Sequence, residues 1–190
     1  ILTFCMFCFF SLMDLNKRVR DYHFFAKKIN GIIREIYDSE TNYTNLRITN
    51  FINALIDENQ IAALVLHKDK NAIQAALGHV YSDFRNRSVP VACITVFDRQ
   101  GELLFSQVDP VFPPHDDRLE SVSLLEAFST GKKVYGFEAG NGLLHYDIAI
   151  PIISPDSQEM VGAVEIAIHP DWFHFRVGGA LGNVKTAIIT

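Results

Sequence analysis

The sequence predicts an α+β fold in which one or two long helices precede an antiparallel sheet of about five strands. The distribution of helix breakers is the first reason: all seven prolines lie at position 90 or later, and only Gly31 and Gly78 come earlier among the glycines. Periodicity is the second reason, because apolar residues keep helical spacing before position 90 and form β-branched runs after it. The chain therefore divides into a helical half and a half of strands and turns.

Bulk composition is that of an ordinary globular domain. A chain of 190 residues is long enough for one well-buried domain. Its content of 48% hydrophobic and 21% charged residues excludes a disordered chain. A net charge of -5 offers no basic surface, so a nucleic acid is not expected as a partner.

Residues 1–13 are almost wholly apolar and lead directly into a charged segment. A bilayer-spanning helix needs about 20 residues, so we expect this segment to be the end of a transmembrane or signal-anchor helix. A signal-peptide core and a helix buried in a dimer interface are the alternatives. Cys5 and Cys8 have C-x-x-C spacing, but no second cysteine pair or nearby histidine completes a zinc set, so we interpret them as apolar packing residues.

Residues 14–66 are predicted to form a long membrane-proximal helix. Apolar residues follow helical spacing in two sets: Ile29, Ile32, Ile33 and Ile36, then Phe51, Ile52, Leu55 and Ile56. The polar residues 38–45 between them are either a break or an exposed turn of one continuous helix. A further helix before Pro90 is predicted from a second stripe: Ile73, Leu77, Val80 and Phe84.

The second half of the chain has the pattern of strands joined by turns. Strands are predicted at residues 91–97, 102–107, 134–138, 144–152 and 161–168. A helix at 119–128, ended by Gly131, interrupts them. A last strand is predicted at 184–189, and we expect the domain of residues 67–190 to be cut at that point.

One hairpin can be read in register. Asn141-Gly142 tolerates the positive φ of a type I′ turn, so Gly140 and Leu143 should flank a two-residue loop. Counting outward gives three cross-strand pairs: Glu138 with His145, Phe137 with Tyr146, and Gly136 with Asp147.

Alternation along these strands separates two faces. Bulky residues share the face that should pack on the long helix: Tyr135, Phe137, Leu144, Tyr146, Ile148 and Ile150. Small and ionisable residues share the other face: Gly136, Glu138, His145, Asp147 and Ala149, joined by Ala163, Glu165 and Ala167 of the strand at 161–168. This second face is either open to water or the floor of a ligand pocket that the loop at 109–117 covers.

Five segments follow one another between about residue 69 and residue 168. They are K-D-K-N-A-I-Q-A-A-L-G-H-V-Y-S-D-F (68–84), I-T-V-F-D-R-Q-G-E-L-L-F (94–105), D-D-R-L-E-S-V-S-L-L-E-A (116–127), V-Y-G-F-E-A-G-N-G-L-L-H-Y-D-I-A-I-P-I (134–152) and V-G-A-V-E-I-A-I (161–168). Their order behind a long helix resembles the Cache sensor domain, the PAS-like extracellular module of bacterial chemoreceptors and sensor kinases. The resemblance is to one half of the double-Cache type.

The resemblance implies a sensory domain anchored in the inner membrane and facing the periplasm, with homodimerisation through the N-terminal helix. It also implies a small-molecule ligand. Relatives often carry an arginine four residues before the proline that ends the second hairpin strand, and here Asp147 holds that place. An amine or cation then fits more naturally than an anion, although amine, amino acid and carboxylate all stay open as ligand classes.

The predicted ligand contacts lie on the second face and in the loop above it. Glu138, His145 and Asp147 are the polar contacts, Tyr146 and Phe137 support them from the core side, and His115, Asp116 and Arg118 would come from the loop. A solvated acidic loop explains residues 115–117 better than a metal site does. His169, Trp172 and His174 form a cluster after the strand that ends at Ile168. Trp172 and Phe173 are interpreted as packing against the sheet edge and not as part of a haem or metal site.

Sequence motifs of catalysis do not occur. The chain has no nucleophile elbow, phosphate loop or zinc set, so we predict no enzyme, no cofactor and no metal. The alternatives to a ligand-binding sensor are a ligandless structural or dimerisation module and a cytoplasmic PAS- or GAF-like regulatory domain.

Overall fold

The computed structural model describes residues 2–58, 60–86, 91–110, 121–140, 143–169, 171–172 and 179. Over these ranges four helices come first, then a β-hairpin, a fifth helix and three further strands. The predicted α+β class is confirmed. The strand predicted at 184–189 lies outside the described residues.

The first helix, α1, runs without interruption from Leu2 to Glu58. The polar residues 38–45 therefore belong to one continuous helix. Thr41 is accommodated there because its hydroxyl donates to the backbone carbonyl of Tyr37 at 2.9 Å. Among the described residues, no helix combines the length and the apolar character needed to cross a membrane.

The helical region expected to reach residue 66 consists of two helices. After α1 ends at Glu58, α2 (Ile61–Leu66) begins behind Gln60, whose φ of 52° is left-handed. A residue in that conformation cannot continue a right-handed helix, so the chain changes direction here. This turn allows α2 to bury Ile61 and Val65 in the main core.

The helix predicted across residues 68–84 is also divided, into α3 (Lys70–Leu77) and α4 (Val80–Asn86). Asp69 caps α3 by accepting a hydrogen bond from the backbone N–H of Ala72 at 3.0 Å. All four residues of the predicted stripe are nevertheless buried in the same core: Ile73, Leu77, Val80 and Phe84. Helical spacing thus identified the buried face but not the interruption at Gly78.

Five antiparallel strands form one sheet in the described part of the chain. They are β1 (Val91–Asp98), β2 (Leu103–Val108), β3 (Val134–Gly140), β4 (Leu143–Ile153) and β5 (Met160–Ile168). Their order across the sheet is β2-β1-β5-β4-β3. Each strand predicted between residues 91 and 168 is present, and its ends differ from the prediction by about two residues at most, an ordinary uncertainty for element boundaries.

The two faces of the sheet are covered by different helices. We call the face toward α1–α4 the back face, where Ile48 and Ile52 of α1 pack with Ile148 and Ile166 of the sheet. The opposite face, which we call the front face, contacts α5 (Val122–Thr130). Leu124 and Ala127 of α5 pack there against small residues of β4 and β5, Ala149 and Ala163.

Candidate functional site

The hairpin of β3 and β4 has the register predicted from its turn. The observed pairs are Glu138 with His145, Phe137 with Tyr146, and Gly136 with Asp147. The turn residues 141–142 lie outside the described residues, but Gly140 and Leu143 flank them as a pair. The predicted separation of bulky and ionisable side chains onto two faces follows from this register.

Phe137 and Tyr146 lie on the back face, where they connect the hairpin to α1. The hydroxyl oxygen of Tyr146 accepts a hydrogen bond from the side-chain amide of Asn45 at 2.8 Å. The ring of Phe137 packs against that of Tyr37, with 5.5 Å between the ring centroids. Burial raises the pKa of Tyr146 to about 12, so its hydroxyl stays protonated at neutral pH.

His145 and Asp147 lie on the front face and contact each other. The Nδ1 atom of His145 is 2.8 Å from each carboxylate oxygen of Asp147. Their exposed fractions are only 3% and 1%. The sequence allowed this face to be either exposed to water or the floor of a ligand pocket. At His145 and Asp147 the face is buried.

Glu138 holds the first turn of α5 against the sheet. Its carboxylate accepts hydrogen bonds from the backbone N–H groups of Val122 at 2.8 Å and Ser123 at 2.6 Å. Ser121 caps the same helix by accepting from the N–H of Leu124 at 3.1 Å. A carboxylate at a helix N-terminus is stabilised by the unpaired N–H groups there. Glu138 thus positions the helix that covers the front face.

Glu165 of β5 is the ionisable residue at the centre of the front face. It lies opposite Thr95 of β1 and Ala149 of β4, and it is 3% exposed. The Thr95 hydroxyl donates to its Oε2 atom at 3.3 Å. Its Oε1 atom is buried and has no hydrogen-bond partner among the described residues. A buried carboxylate oxygen without a donor is costly, which makes this residue the most unusual one of the face.

The surroundings of Glu165 favour its protonated form. Burial, followed by the charge of Asp147, raises the pKa of Glu165 to about 7, although hydrogen bonds from Ser121 and Thr95 oppose the shift. Near neutral pH this side chain therefore exchanges between its acid and its carboxylate.

The surroundings of His145 favour its charged form. Burial alone would lower the pKa of His145, but the hydrogen bond and charge of Asp147, with smaller contributions from Glu138 and Glu165, raise it overall. Glu138 is the cross-strand partner of His145, but Asp147 on the same strand as His145 has the larger effect on its pKa.

Small side chains surround the ionisable residues. Ala149, Ala163 and Ala167 are fully buried on the same face. A Cβ atom added to Gly136, which lies opposite Asp147, would meet no heavy atom within 4 Å. Cys93 is also buried, and burial raises the pKa of its thiol far above neutrality, so it remains a neutral packing residue. Space is therefore available beside the buried charges at the β3 edge.

The predicted site residues fall into three groups. His145 and Asp147 are together on the front face, Glu138 is engaged by α5, and Phe137 and Tyr146 lie behind the site on the back face. His115, Asp116 and Arg118 lie outside the described residues, as does His174. Glu165 was not among the predicted contacts, although its position between Ala163 and Ala167 is a detectable signal. In the described part of the chain, no group of three or more His, Cys, Asp or Glu residues is arranged to hold a metal ion.

A separate cleft of about 520 Å³ lies at the C-terminal end of α1. Its lining combines apolar, acidic and histidine side chains from the ends of α1 and α2, the end of β4 and the turn after it: Ile56, Asp57, Leu66, His67, Ile153 and Asp156. Sequence patterns did not predict this cleft.

No curated protein sequence matches the chain. Several solved structures resemble it at low sequence identity. For the Escherichia coli DcuS sensor domain the identity is 15% and the TM-score 0.45, with 66% of this chain and 96% of that one covered. For the ligand-binding domain of the Campylobacter jejuni chemoreceptor Tlp3, solved in complex with L-valine, the values are 12% and 0.48, covering 81% of this chain and 64% of that one.

The sensor domain of the Vibrio cholerae histidine kinase DctB is 16% identical, with a TM-score of 0.41 and coverage of 70% of this chain and 60% of that one. A protein family also matches the sequence. The dCache_3 family, described as the double sensory domain of two-component sensor kinases, matches residues 38–169. This range includes the C-terminal part of α1, the whole described sheet and the buried front face. The chain belongs to this family of sensory domains.

Proposed function

We propose that this chain is the extracytoplasmic sensory domain of a bacterial transmembrane receptor, and that it binds a small polar molecule on the front face. The observation that carries the proposal is the group of buried ionisable residues on that face: His145, Asp147 and Glu165. Family membership supports a sensory role. The position of these three residues supports a ligand site on the front face.

Burial of these groups is difficult to explain by stability alone. Each ionised group removed from water costs several kcal/mol unless it is paired and fully hydrogen-bonded. Glu165 is the extreme case, because its Oε1 atom has no donor among the described residues. Perturbed ionisable groups of this kind concentrate at functional sites, where a ligand supplies the missing interactions.

The hairpin provides a direct connection from the site to α1. Tyr146 lies between His145 and Asp147 on β4, with its side chain on the opposite face, where it bonds to Asn45. A ligand that displaces this part of β4 therefore displaces a residue bonded to the helix. Thr44 Oγ1 and Asn45 Oδ1 are buried without hydrogen-bond partners among the described residues, so the polar contacts of this interface are not saturated. We infer that the signal leaves the domain through α1.

Homodimerisation through α1 is supported by an apolar seam on the exposed side of the helix. Six exposed residues keep the 3-and-4 spacing of a heptad: Leu15, Tyr22, Phe25, Ile32, Tyr43 and Leu46. At 1.5 Å per residue the seam is about 46 Å long. Residues repeated in this way bury themselves against a second helix with the same pattern, which favours a second copy of the chain as the partner.

The dimer is testable with two variants that lie close together on α1. Ile32→Glu places a charge in the seam, and Arg34→Glu places one at an exposed position on the opposite side of the heptad. Light scattering should show a dimer for the unmodified chain and for Arg34→Glu, and a monomer for Ile32→Glu. Equal masses for the two variants would exclude this seam as the interface.

Membrane anchorage is proposed from the start of α1. Residues 2–13 of this apolar segment are continuous with the rest of the helix, which begins at Leu2. The proposed location is the inner membrane, with the sheet in the periplasm. Fusions of a topology reporter to either end of the chain would report which side of the membrane the sheet faces.

The ligand site is testable by a thermal-shift screen of amino acids, amines and carboxylates on the full chain. A compound that binds the front face should lose its effect in Gly136→Leu, because the added side chain enters open space beside Asp147. Tyr146→Phe is the matched control, since it changes the opposite face of the same hairpin. A compound that stabilises all three proteins equally binds elsewhere, and the absence of any shift would favour a ligandless dimerisation module.

A further inference from the structure

We propose that the cleft at the C-terminal end of α1 is a second binding site, and that it takes a small organic cation with an apolar body, such as an aryl amine. This site is separate from the front face and does not depend on a ligand there. The volume of the cleft, about 520 Å³, lies within the range of small-molecule sites. Its apolar walls and its charge define the class of ligand.

The walls of the cleft expose large aliphatic side chains. Leu66, the last residue of α2, is 61% exposed, and Ile153, the last residue of β4, is 39% exposed. Ile56 and Pro155 extend this apolar lining. Apolar side chains on a concave surface stabilise a complex when an apolar group covers them and removes them from water. The cleft therefore fits a ligand with an apolar body.

The polar part of the lining is acidic. The side chains of Asp57 and Asp156 are exposed, and neither forms an ion pair or hydrogen bond with the part of the chain that the structure describes. Lys68, which follows the cleft residue His67, is already paired with Asp98. A cationic group in the cleft would be attracted by both carboxylates, whereas both would repel an anion. Charge therefore favours a ligand that carries a cation on its apolar body.

The cleft lies where the end of α1 meets the sheet. Asp57 belongs to the last turn of α1, whereas Ile153 ends β4 and Asp156 lies in the turn after it. A ligand that contacts both groups holds the end of the helix against the sheet. The hydrogen bond between Asn45 and Tyr146 lies about three turns earlier in α1. The second site therefore acts on a different part of the helix from the front-face hairpin.

NMR titration of the full chain tests the ligand class with four probes. Phenethylamine has the cation and the apolar body, phenethyl alcohol and hydrocinnamate have the same ring with a neutral or an anionic end, and ethylamine has the cation alone. Phenethylamine should shift the amide signals of Leu66 and Ile153 and bind about threefold more tightly than the alcohol. Hydrocinnamate and ethylamine should bind more weakly than either. Added salt should weaken the amine but not the alcohol, because it screens the exposed carboxylates.

Two substitutions and a matched control test the place of the site. Leu66→Lys introduces a cation that fills the cleft and neutralises its carboxylates, so it should weaken phenethylamine about tenfold or more. The control Leu125→Lys makes the same change at an exposed position of α5 and should have no effect. Asp57→Asn should weaken phenethylamine by about two- to fivefold, as expected for an exposed ion pair, and leave phenethyl alcohol unaffected.

Each possible failure has a separate meaning. Equal binding of phenethylamine and phenethyl alcohol, or tighter binding of hydrocinnamate, would overturn the assignment of a cation. Absence of binding by phenethylamine, or binding that Leu66→Lys does not weaken, would overturn the cleft as its site. Gly136→Leu should leave phenethylamine binding in the cleft unchanged. A compound that this front-face substitution weakens and Leu66→Lys does not would support the front-face site alone.

Discussion

Folding stability should fall as the pH rises from about 4.5 to about 7, because Glu165 is more easily ionised in the unfolded chain than in the folded one. Its pKa is 4.5 without the protein environment and about 7 in the folded protein. An acid with a raised folded pKa contributes its full stability below the unfolded value, and loses it as the pH rises through the folded value. The difference between a pKa of 4.5 in the unfolded chain and about 7 in the folded protein lowers the free energy of unfolding by about 3 kcal/mol in total, at 1.36 kcal/mol per pKa unit.

Urea unfolding at pH 5 and pH 8 measures this effect in the native chain and in Glu165→Gln. Part of the loss has already occurred at pH 5, so the native free energy of unfolding should fall by about 2 to 3 kcal/mol relative to that of the variant. With a urea dependence of about 2 kcal/mol per M, the midpoints should diverge by about 1 M. The stabilising contribution of protonated His145 is also lost as the pH rises. This loss occurs in the native chain and in the variant, so it largely cancels in the comparison. Parallel pH profiles would refute the raised pKa, and with it the burial of Glu165 as an acid.

Two further predictions concern the same sheet. Asp147→Asn should lower the pKa of His145 in an NMR titration, because burial then acts with less opposition; an unchanged pKa would show that Asp147 is not the dominant neighbour. Gly162→Ala should cost about 1–3 kcal/mol in chemical denaturation, since the added Cβ would clash with the Phe97 carbonyl oxygen and lie 2.8 Å from Val65 Cγ1. The control Gly136→Ala should change stability by less than about 1 kcal/mol, because its Cβ meets no atom within 4 Å.

The register of the β3–β4 hairpin was predictable because its determinants are local. The Asn141-Gly142 turn fixes the loop length, and alternation then assigns every side chain to a face. The pairs of Glu138 with His145 and of Phe137 with Tyr146 follow without any knowledge of the rest of the fold. Strand positions were predictable for the same reason.

The interruptions of the helices were less predictable. The turn at Gln60 requires a left-handed backbone at a residue that does not specifically favour it. The division of the helix at Gly78 leaves the apolar spacing on either side intact, so the pattern does not reveal it. In both places tertiary packing, which sequence periodicity does not report, determines where the helix ends.

The roles of Glu138 and Glu165 depend on contacts between distant segments. Glu138 accepts hydrogen bonds from the N-terminus of α5, which lies 15 and 16 residues earlier in the sequence. This contact requires α5 to cross the front face. Glu165 obtains its raised pKa from burial and from Asp147 on the neighbouring strand. Strand alternation placed both residues on the correct face. The packing of α5 determines that the carboxylate of Glu138 has hydrogen-bond donors, whereas the Oε1 atom of Glu165 has none among the described residues.

The connection from β4 to α1 limits how strongly a ligand can act on the helix. A ligand shifts an equilibrium only by the difference between its affinities for the two states. A buried hydrogen bond such as that between Asn45 and Tyr146 contributes about 1 kcal/mol, so its formation or loss alone changes a population ratio about fivefold. A larger response needs the packing of Phe137 against Tyr37 to change at the same time. Because Phe137 and Tyr146 are cross-strand neighbours with rings 4.9 Å apart, a displacement of one moves the other, and the two contacts with α1 act as a single coupled unit.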